Sequence, residues 1–169
     1  MRGGRISSRG VVHERRVLPV EAPPEVVWSC VADLGAEPGW YAATGLWRLR
    51  FLLDGMLGGP GRRPRPDRPL RQGDPVEGWV VSAVEPGSAL TLTSQLRMPG
   101  TAVLRHEVSP DPDDRSRSRL LQDLTWGPDG AAGRLLWAVE LPAHVVVMRA
   151  MVRGMAREAE RRAGARDAG

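Results

Sequence analysis

His144 is the ionisable side chain whose position in the sequence best suits chemistry. From residue 142 to about residue 163 the apolar residues recur at helical spacing, and Pro142 suits the first turn of that helix. His144 lies on the apolar stripe within this first turn, where burial and the positive end of the helix dipole disfavour the protonated imidazole. A neutral imidazole can bind a ligand oxygen or act as a general base, and a packed histidine hydrogen-bonded to the backbone is the alternative.

Three carboxylates, Asp54, Asp74 and Glu77, lie near candidate motifs, and the first two have structural interpretations. Asp54 follows Arg50 by four residues on a predicted helix, a spacing that favours an ion pair, although Arg50 can instead reach another element. Asp74 stands between Gly73 and Pro75, where a hydrogen bond to the backbone of a turn is favoured over catalysis. Neither of these two carboxylates has a partner for acid–base catalysis that is evident in the sequence.

Tryptophan dominates the aromatic residues, with six against one phenylalanine and one tyrosine. Such bulk either fills a core or lines a cavity, and Trp79, in a predicted central strand, is the favoured cavity residue. Methionines on the stripe of the final helix are soft, adaptable contacts for a sheet or a ligand. The predicted ligand-binding set is Trp47, Arg50, Trp79, Trp126, Trp137, His144, Met148 and Met151.

An arginine-rich stretch runs from residue 58 to residue 74 and reads GGPGRRPRPDRPLRQGD. Its glycines and prolines exclude a helix or a central strand, so a solvated loop is the simple interpretation. A contact of Arg62 and Arg63 with an anion or phosphate is the alternative, because guanidinium groups match such ligands in geometry.

The composition excludes several classes of function. The net charge is only +4 and every cation is arginine, and the arginines are spread without an exposed aromatic stripe, so nucleic-acid binding is not expected. The three histidines lack carboxylate or cysteine companions at ligand spacing, so no metal site is expected. No Gly-x-Gly-x-x-Gly fingerprint follows a strand, so NAD is not expected to bind in that way, and no cofactor is predicted.

The single cysteine, Cys30, excludes an internal disulfide and fits a reducing cytoplasm, the expected location. No apolar run approaches the roughly 20 residues of a membrane span, so none is expected. We expect a flexible leader at residues 1–10, a single domain at 11–163 and a flexible tail at 164–169.

The order of the predicted elements indicates an α+β fold. A strand at 11–20 precedes a proline-started helix, then a second helix whose apolar stripe is Leu46, Leu49, Leu53, Met56 and Leu57. Alternating runs at 76–84, 89–97, 102–108 and 119–126 predict an antiparallel meander. Residues 135–141 favour a helix that is broken or kinked at Pro142 and leads into the final helix.

This order resembles the helix-grip fold of the START-like, polyketide-cyclase and lipid-transfer superfamily (SRPBCC). The opening PPEVVWSCVADL is similar to the usual first helix of that superfamily. The resemblance implies a curved antiparallel sheet wrapped around a long C-terminal helix, with two short helices after the first strand and a cavity between sheet and helix.

A closer resemblance covers roughly residues 14 to 161. The segments LWRLRFLLDGMLGG, GRRP, QGDPVEGWVV, LRMPGTAVL and LTWGPDGAAGRLLWAVELPAH are similar to a family of unknown function that also occurs fused to short-chain-dehydrogenase-type NAD(P)-binding domains. The sequence departs from that family at Glu77-Gly78-Trp79, where an aromatic usually precedes the tryptophan. It departs again at Leu136-Trp137, where Tyr-Trp is usual, and both changes would reshape the pocket.

Three functional hypotheses follow. The first is binding, without catalysis, of a small hydrophobic or amphipathic molecule between the sheet and the C-terminal helix, with His144 and Arg50 fixing its polar end. The second is a cyclase- or dehydratase-like enzyme in which His144 transfers a proton. The third, which rests on the fused relatives, is an interaction module that partners a separate dehydrogenase.

Overall fold

Seven antiparallel strands form one sheet that packs against three helices. The computed structural model describes residues 5–6, 10–36, 39–42, 44–56 and 58–167. The strands are β1 (Arg5–Ile6), β2 (Val12–Val20), β3 (Pro75–Val76), β4 (Trp79–Glu85), β5 (Ala89–Ser94), β6 (Gly100–Pro110) and β7 (Ser118–Pro128). The helices are α1 (Pro24–Ala32), α2 (Thr44–Met56) and α3 (Gly130–Asp167). The strand order β1-β2-β7-β6-β5-β4-β3 joins the first long strand to the last one.

The second half of α3 supplies the central contact of the core. Met151, Met155 and Ala159 are fully buried, whereas Arg153 and Arg157 on the opposite side of the helix are exposed. This is the amphipathic pattern that the helical spacing predicts. With α1 packed beside α3 against the sheet, the architecture is the expected α+β helix-grip fold.

The helix predicted for residues 135–141 is present, but it starts earlier, at Gly130, and is continuous with the final helix. It runs without a break from Gly130, so Pro142 lies inside the helix and not in its first turn. A proline there removes one backbone hydrogen bond. Because Trp137 and His144 on either side of it both line a cavity against the sheet, tertiary contacts hold the helix across this position.

The apolar stripe predicted for α2 is largely exposed, although Leu46, Leu49 and Leu53 also line the cavity. Leu46, Leu49, Leu53 and Met56 are between 46% and 76% exposed, and the buried face of the helix carries Phe51 and Asp54 instead. Leu57, the last member of the predicted stripe, lies outside the described residues. Helical spacing identified the helix, but spacing alone could not show whether its apolar face is buried in the core or largely exposed.

Regular secondary structure occurs within both the expected leader and the expected tail. Arg5–Ile6 pairs with Val12 and His13 of β2, within the stretch expected to be a leader, and the remainder of residues 1–9 lies outside the described residues. Helix α3 continues to Asp167, where a tail was expected, and residues 168–169 lie outside the described residues.

The predicted strand 76–84 is divided by Glu77, whose φ of 55° turns the chain between β3 and β4.

By length and composition alone, α3 is apolar enough to cross a membrane. Its most apolar window of 18 residues has a mean hydropathy of 1.5, and only 17% of that window is buried. The same helix is the core helix of the fold, because Met148, Met151 and Val152 pack against the sheet. No uninterrupted apolar run marks this segment in the sequence, so a span was not expected there.

Candidate ligand-binding site

A cavity of about 290 Å³ lies between the sheet, α2 and the first half of α3. Its floor comes from β4, β6 and β7, which turn Trp79, Ala102, Leu124 and Trp126 inward because alternate strand residues face one side. Seven of the eight predicted ligand-binding residues line it, namely Trp47, Arg50, Trp79, Trp126, Trp137, His144 and Met148. Met151, one turn beyond Met148, is fully buried in the core and does not line the cavity.

Two groups of stacked aromatic rings contribute tryptophans to the wall of the cavity. On the α2 side Trp47 stacks on Trp40 and Phe51, with ring centroids 5.0 and 5.8 Å away. On the α3 side Trp126 and Trp137 stack at 6.0 Å. Offset stacking stabilises such pairs and holds large flat side chains in one position. The tryptophans therefore both fill the core and line the cavity, and they leave it open.

His144 meets a carboxylate that the sequence analysis did not consider. Its Nε2 lies 3.2 Å from Oε2 of Glu14 on β2, and its ring lies 4.8 Å from that of Trp137. Since α3 begins at Gly130, His144 is far from the helix N-terminus, and the expected influence of the helix dipole is wrong. The expected backbone partner is likewise replaced by a side chain. The alternation of β2 could have indicated this contact, because it places Glu14 on the same face of the strand as Val12.

Glu14 is held as a carboxylate by its two partners. Burial on its own would raise its pKa, but hydrogen bonds with His144 and Arg16 outweigh that effect and lower the pKa from 4.5 to about 2. Arg16 Nη2 donates to Glu14 Oε2 at 2.6 Å, and Arg16 also reaches Gln122 on β7. An ionised Glu14 can stabilise positive charge on the imidazole when His144 accepts a proton.

The lowered pKa of Glu14 predicts how stability depends on pH. The stabilisation is fully present above pH 4.5 and is lost as the pH falls from about 4.5 towards 2, because the unfolded state then takes up the proton first. We expect Glu14→Gln to flatten the pH dependence of the melting temperature in that window. Glu25→Gln, an exposed change on α1, is the control and should follow the unmodified protein. Equal acid sensitivity of all three proteins would contradict the prediction.

A buried polar row continues from Glu14 across the sheet. Gln122 Nε2 lies 3.4 Å from His106 Nε2, and both side chains are fully buried. Desolvation lowers the pKa of His106 to about 4, so this imidazole is neutral at physiological pH. In contrast, His13 is exposed on the other face of β2, as the strand pattern predicts, 3.2 Å from the hydroxyl of Thr125. Of the three histidines, only His144 lines the cavity.

Arg50 bridges α2 and α3 at the edge of the cavity. Its Nη1 lies 3.9 Å from Oδ1 of Asp54, four residues on, and its Nε lies 3.8 Å from Oε1 of Glu140. Both partners considered for Arg50, a carboxylate on its own helix and one on another element, are therefore present. Asp54 itself is fully buried and accepts hydrogen bonds from the backbone N–H groups of Gly61 and Arg97. Asp54 thus has a structural role, whereas Arg50 presents a charge to the cavity.

Arg62 and Arg68 in the loop at 58–74 form ion pairs within the protein. Arg62 Nε donates to Oε1 of Glu77 at 2.7 Å, and Arg68 makes two hydrogen bonds of 2.8 Å to Asp74. Asp74 also accepts a hydrogen bond from the backbone N–H of Arg71, the structural role predicted for it. Arg63 is exposed and meets Glu77 through the backbone. Neither Arg62 nor Arg63 lines the cavity, and the predicted anion contact remains a prediction.

The polar groups at the cavity suit an organic ligand better than a metal ion. Across the part of the chain that the structure describes, no three His, Cys, Asp or Glu side chains converge as a ligand set. The cavity wall offers one imidazole, one guanidinium and one carboxylate among apolar side chains. A few polar groups in an apolar wall orient a small molecule through hydrogen bonds.

Comparisons with known proteins agree with this architecture. A family described as "Protein of unknown function (DUF2867)" matches residues 8–151. An aromatase/cyclase from a Streptomyces species is 18% identical with a TM-score of 0.53, and the match covers 90% of this chain and 95% of that one. Comparison with curated protein sequences gives no significant match.

Two further solved structures have the same fold. A protein from Nitrosospira multiformis is 14% identical with a TM-score of 0.54, over 86% of this chain and 94% of that one. A protein from Chromobacterium violaceum is 14% identical with a TM-score of 0.52, over 88% of this chain and 96% of that one. At these identities the similarity establishes the helix-grip fold and leaves the chemistry to the cavity itself.

Proposed function

Because the chain belongs to the DUF2867 family and encloses an apolar cavity under its C-terminal helix, we propose that it binds a small hydrophobic or amphipathic molecule there. The observation that carries the proposal is the combination of aromatic walls with a single imidazole held by a carboxylate. Apolar walls supply affinity by burying ligand surface, and a few polar groups supply orientation.

The dimensions and polarity of the cavity restrict the ligand. Its volume of about 290 Å³ is at the low end of the roughly 300–1,000 Å³ usual for small-molecule sites, which favours a compact ligand. The flat faces of Trp126 and Trp137 favour aromatic or planar groups. We expect His144 and Arg50 to bind an oxygen at the polar end of such a ligand, and their presence in the lining of the same cavity supports this.

Native mass spectrometry of the freshly purified protein, followed by denaturing extraction, tests this proposal. We expect a reproducible additional mass of a few hundred daltons that is released on unfolding. Its fragmentation would identify the chemical class. A clean apo mass, unchanged after incubation with planar aromatic ketones and phenols, would contradict the proposal.

The contact between His144 and Glu14 favours a second function, proton transfer in a cyclase- or dehydratase-like reaction. A carboxylate that orients an imidazole and stabilises its protonated form is a common arrangement for a general base. In that reaction His144 Nδ1, the ring nitrogen that does not face Glu14, removes a proton from the carbon next to a ligand carbonyl. The electron pair of that C–H bond forms the enolate, and the proton later returns to a carbon or oxygen of the product.

Deuterium exchange distinguishes this enzyme from a simple carrier. In deuterated buffer the unmodified protein is expected to incorporate deuterium into a bound carbonyl compound, as detected by mass spectrometry of the extracted ligand. His144→Gln should retain the ligand and slow incorporation by about 100-fold or more, the usual contribution of a general base. Equal incorporation by both proteins, with a lower melting temperature for the variant, would assign His144 to packing.

The dehydrogenase partner suggested by fused relatives remains a prediction. The exposed apolar side chains of α2 are a feature that such a partner would cover. The sheet, α2 and α3 of this chain supply the walls of the cavity, so a partner is not needed to form them.

A further inference from the structure

We propose that the two helices bordering the cavity dock the protein on an anionic lipid surface. The docking face comprises Leu49, Leu52 and Met56 on α2, and Leu135, Val139 and Val146 on α3. These side chains are 51%, 62%, 76%, 68%, 71% and 66% exposed, respectively. The proposal concerns the outside of the helices and goes beyond the ligand-binding cavity.

The exposure of this face is unusual for a helix that serves only as a core element. In a core helix the polar residues face solvent, and in the second half of α3 Arg153 and Arg157 do so. The first half instead exposes Leu135, Val139 and Val146, which recur at helical spacing on one side. Single exposed apolar residues are ordinary, but a concentration of them on two neighbouring helices marks an interaction surface.

The charges on the same helices favour an anionic lipid surface as the partner. Arg48, Arg134 and Arg149 are exposed, and no ion pair involves them among the residues that the structure describes. The two acids on these segments, Asp54 and Glu140, are each paired with Arg50. The free charges are therefore positive. Two such faces repel each other in a dimer, whereas anionic lipid headgroups attract them.

The apolar and basic residues together match an interfacial helix. Leucine, valine and methionine side chains enter the boundary between headgroups and acyl chains, and arginines bind the headgroup phosphates. Leu49 is both a docking residue and part of the cavity wall. Docking therefore places the cavity beside the bilayer, so an apolar ligand can enter without crossing water.

Vesicle co-sedimentation of the full chain tests the docking. We expect binding to phosphatidylcholine vesicles that contain phosphatidylglycerol, weaker binding without it, and weakening by salt because headgroup contacts are screened. The double variant Leu52→Gln with Val139→Gln should lower the apparent affinity by roughly tenfold or more, since both apolar contacts are lost. Neither residue lines the cavity, so ligand content in native mass spectrometry should not change.

Matched controls distinguish docking through this face from non-specific adsorption to vesicles. Val17 is 53% exposed on β2, away from the two helices, and Val17→Gln should leave vesicle binding unchanged. Arg48→Gln with Arg134→Gln should reduce both the affinity for anionic vesicles and its salt dependence, whereas Arg157→Gln at the far end of α3 should not.

Three outcomes would overturn the proposal. The first is no sedimentation with anionic vesicles, and the second is equal binding by the unmodified protein and the Leu52→Gln, Val139→Gln variant. The third is a dimer in light scattering that this variant converts to a monomer, because a second copy would then cover the face. A melting temperature within a few degrees of the unmodified protein shows that the variant is folded.

Discussion

Replacing Gly154 with alanine is expected to lower the free energy of unfolding by roughly 1–3 kcal/mol, the usual cost of overpacking. Gly154 lies on α3 where the helix touches the backbone of Tyr41, and an added Cβ would collide with the Tyr41 carbonyl oxygen. Tyr41 cannot move freely, because its φ is 62° and its hydroxyl donates a hydrogen bond of 2.8 Å to the carbonyl of Cys30. Alanine improves helix propensity by only about 1 kcal/mol, so the collision dominates.

Gly164 provides the matched control for this prediction. It lies on the same helix, and a Cβ built there meets nothing within 4 Å. Gly164→Ala is therefore expected to stabilise the protein by up to about 1 kcal/mol through helix propensity alone. Chemical denaturation of the two variants beside the unmodified protein measures both effects. A melting temperature for Gly154→Ala at or above that of the unmodified protein would show that α3 does not pack on Tyr41 as the structure has it.

Ala143→Trp is expected to close the cavity and reduce the bound ligand roughly tenfold or more, since the new ring would occupy the space that a ligand needs. Ala143 lines the cavity, and because its side chain is exposed, the larger ring meets no packed core. The cost to stability should therefore be small, in contrast to a similar enlargement at buried Ala102. Native mass spectrometry would report the loss directly, as disappearance of the ligand-bound species.

Ala138→Trp is the control for the blocked cavity. Ala138 is exposed on the same helix and does not line the cavity, so its replacement adds the same apolar bulk elsewhere. Ligand content should match that of the unmodified protein. Retention of ligand by Ala143→Trp, with the melting temperature unchanged, would place the ligand at another site and contradict the proposed function.

The elements that were predicted well are those with one dominant periodicity. The alternation of β2 and the stripe of Met148, Met151 and Met155 each bury one face against the sheet, so local spacing and tertiary packing agree. The chain order of these elements, strand, two helices, meander and final helix, indicated an α+β fold, and its resemblance to the START-like superfamily predicted the helix-grip fold. A fold can be predicted from such patterns because they indicate which face of each element is buried away from water.

Prediction was less successful where long-range contacts outweigh a local signal. Pro142 is a strong indicator of a helix start, yet α3 passes through it because Trp137 and His144 are held on both sides of the proline. In α2 the leucines outnumber the other apolar residues, but the buried face carries Phe51 and Asp54. Asp54 is buried because the N–H groups of Gly61 and Arg97 converge on it.

The sequence by itself determined the helix-grip fold and most of the cavity lining, because tryptophans and methionines on predicted inward faces have few other places to lie. Only the tertiary structure decided what His144 can do. Its partner Glu14 is 130 residues away, and the pairing exists because β2 lies beside β7, the strand that leads into α3. Side-chain types and spacing describe one element at a time, whereas a hydrogen bond between two elements depends on how the sheet and helix pack together.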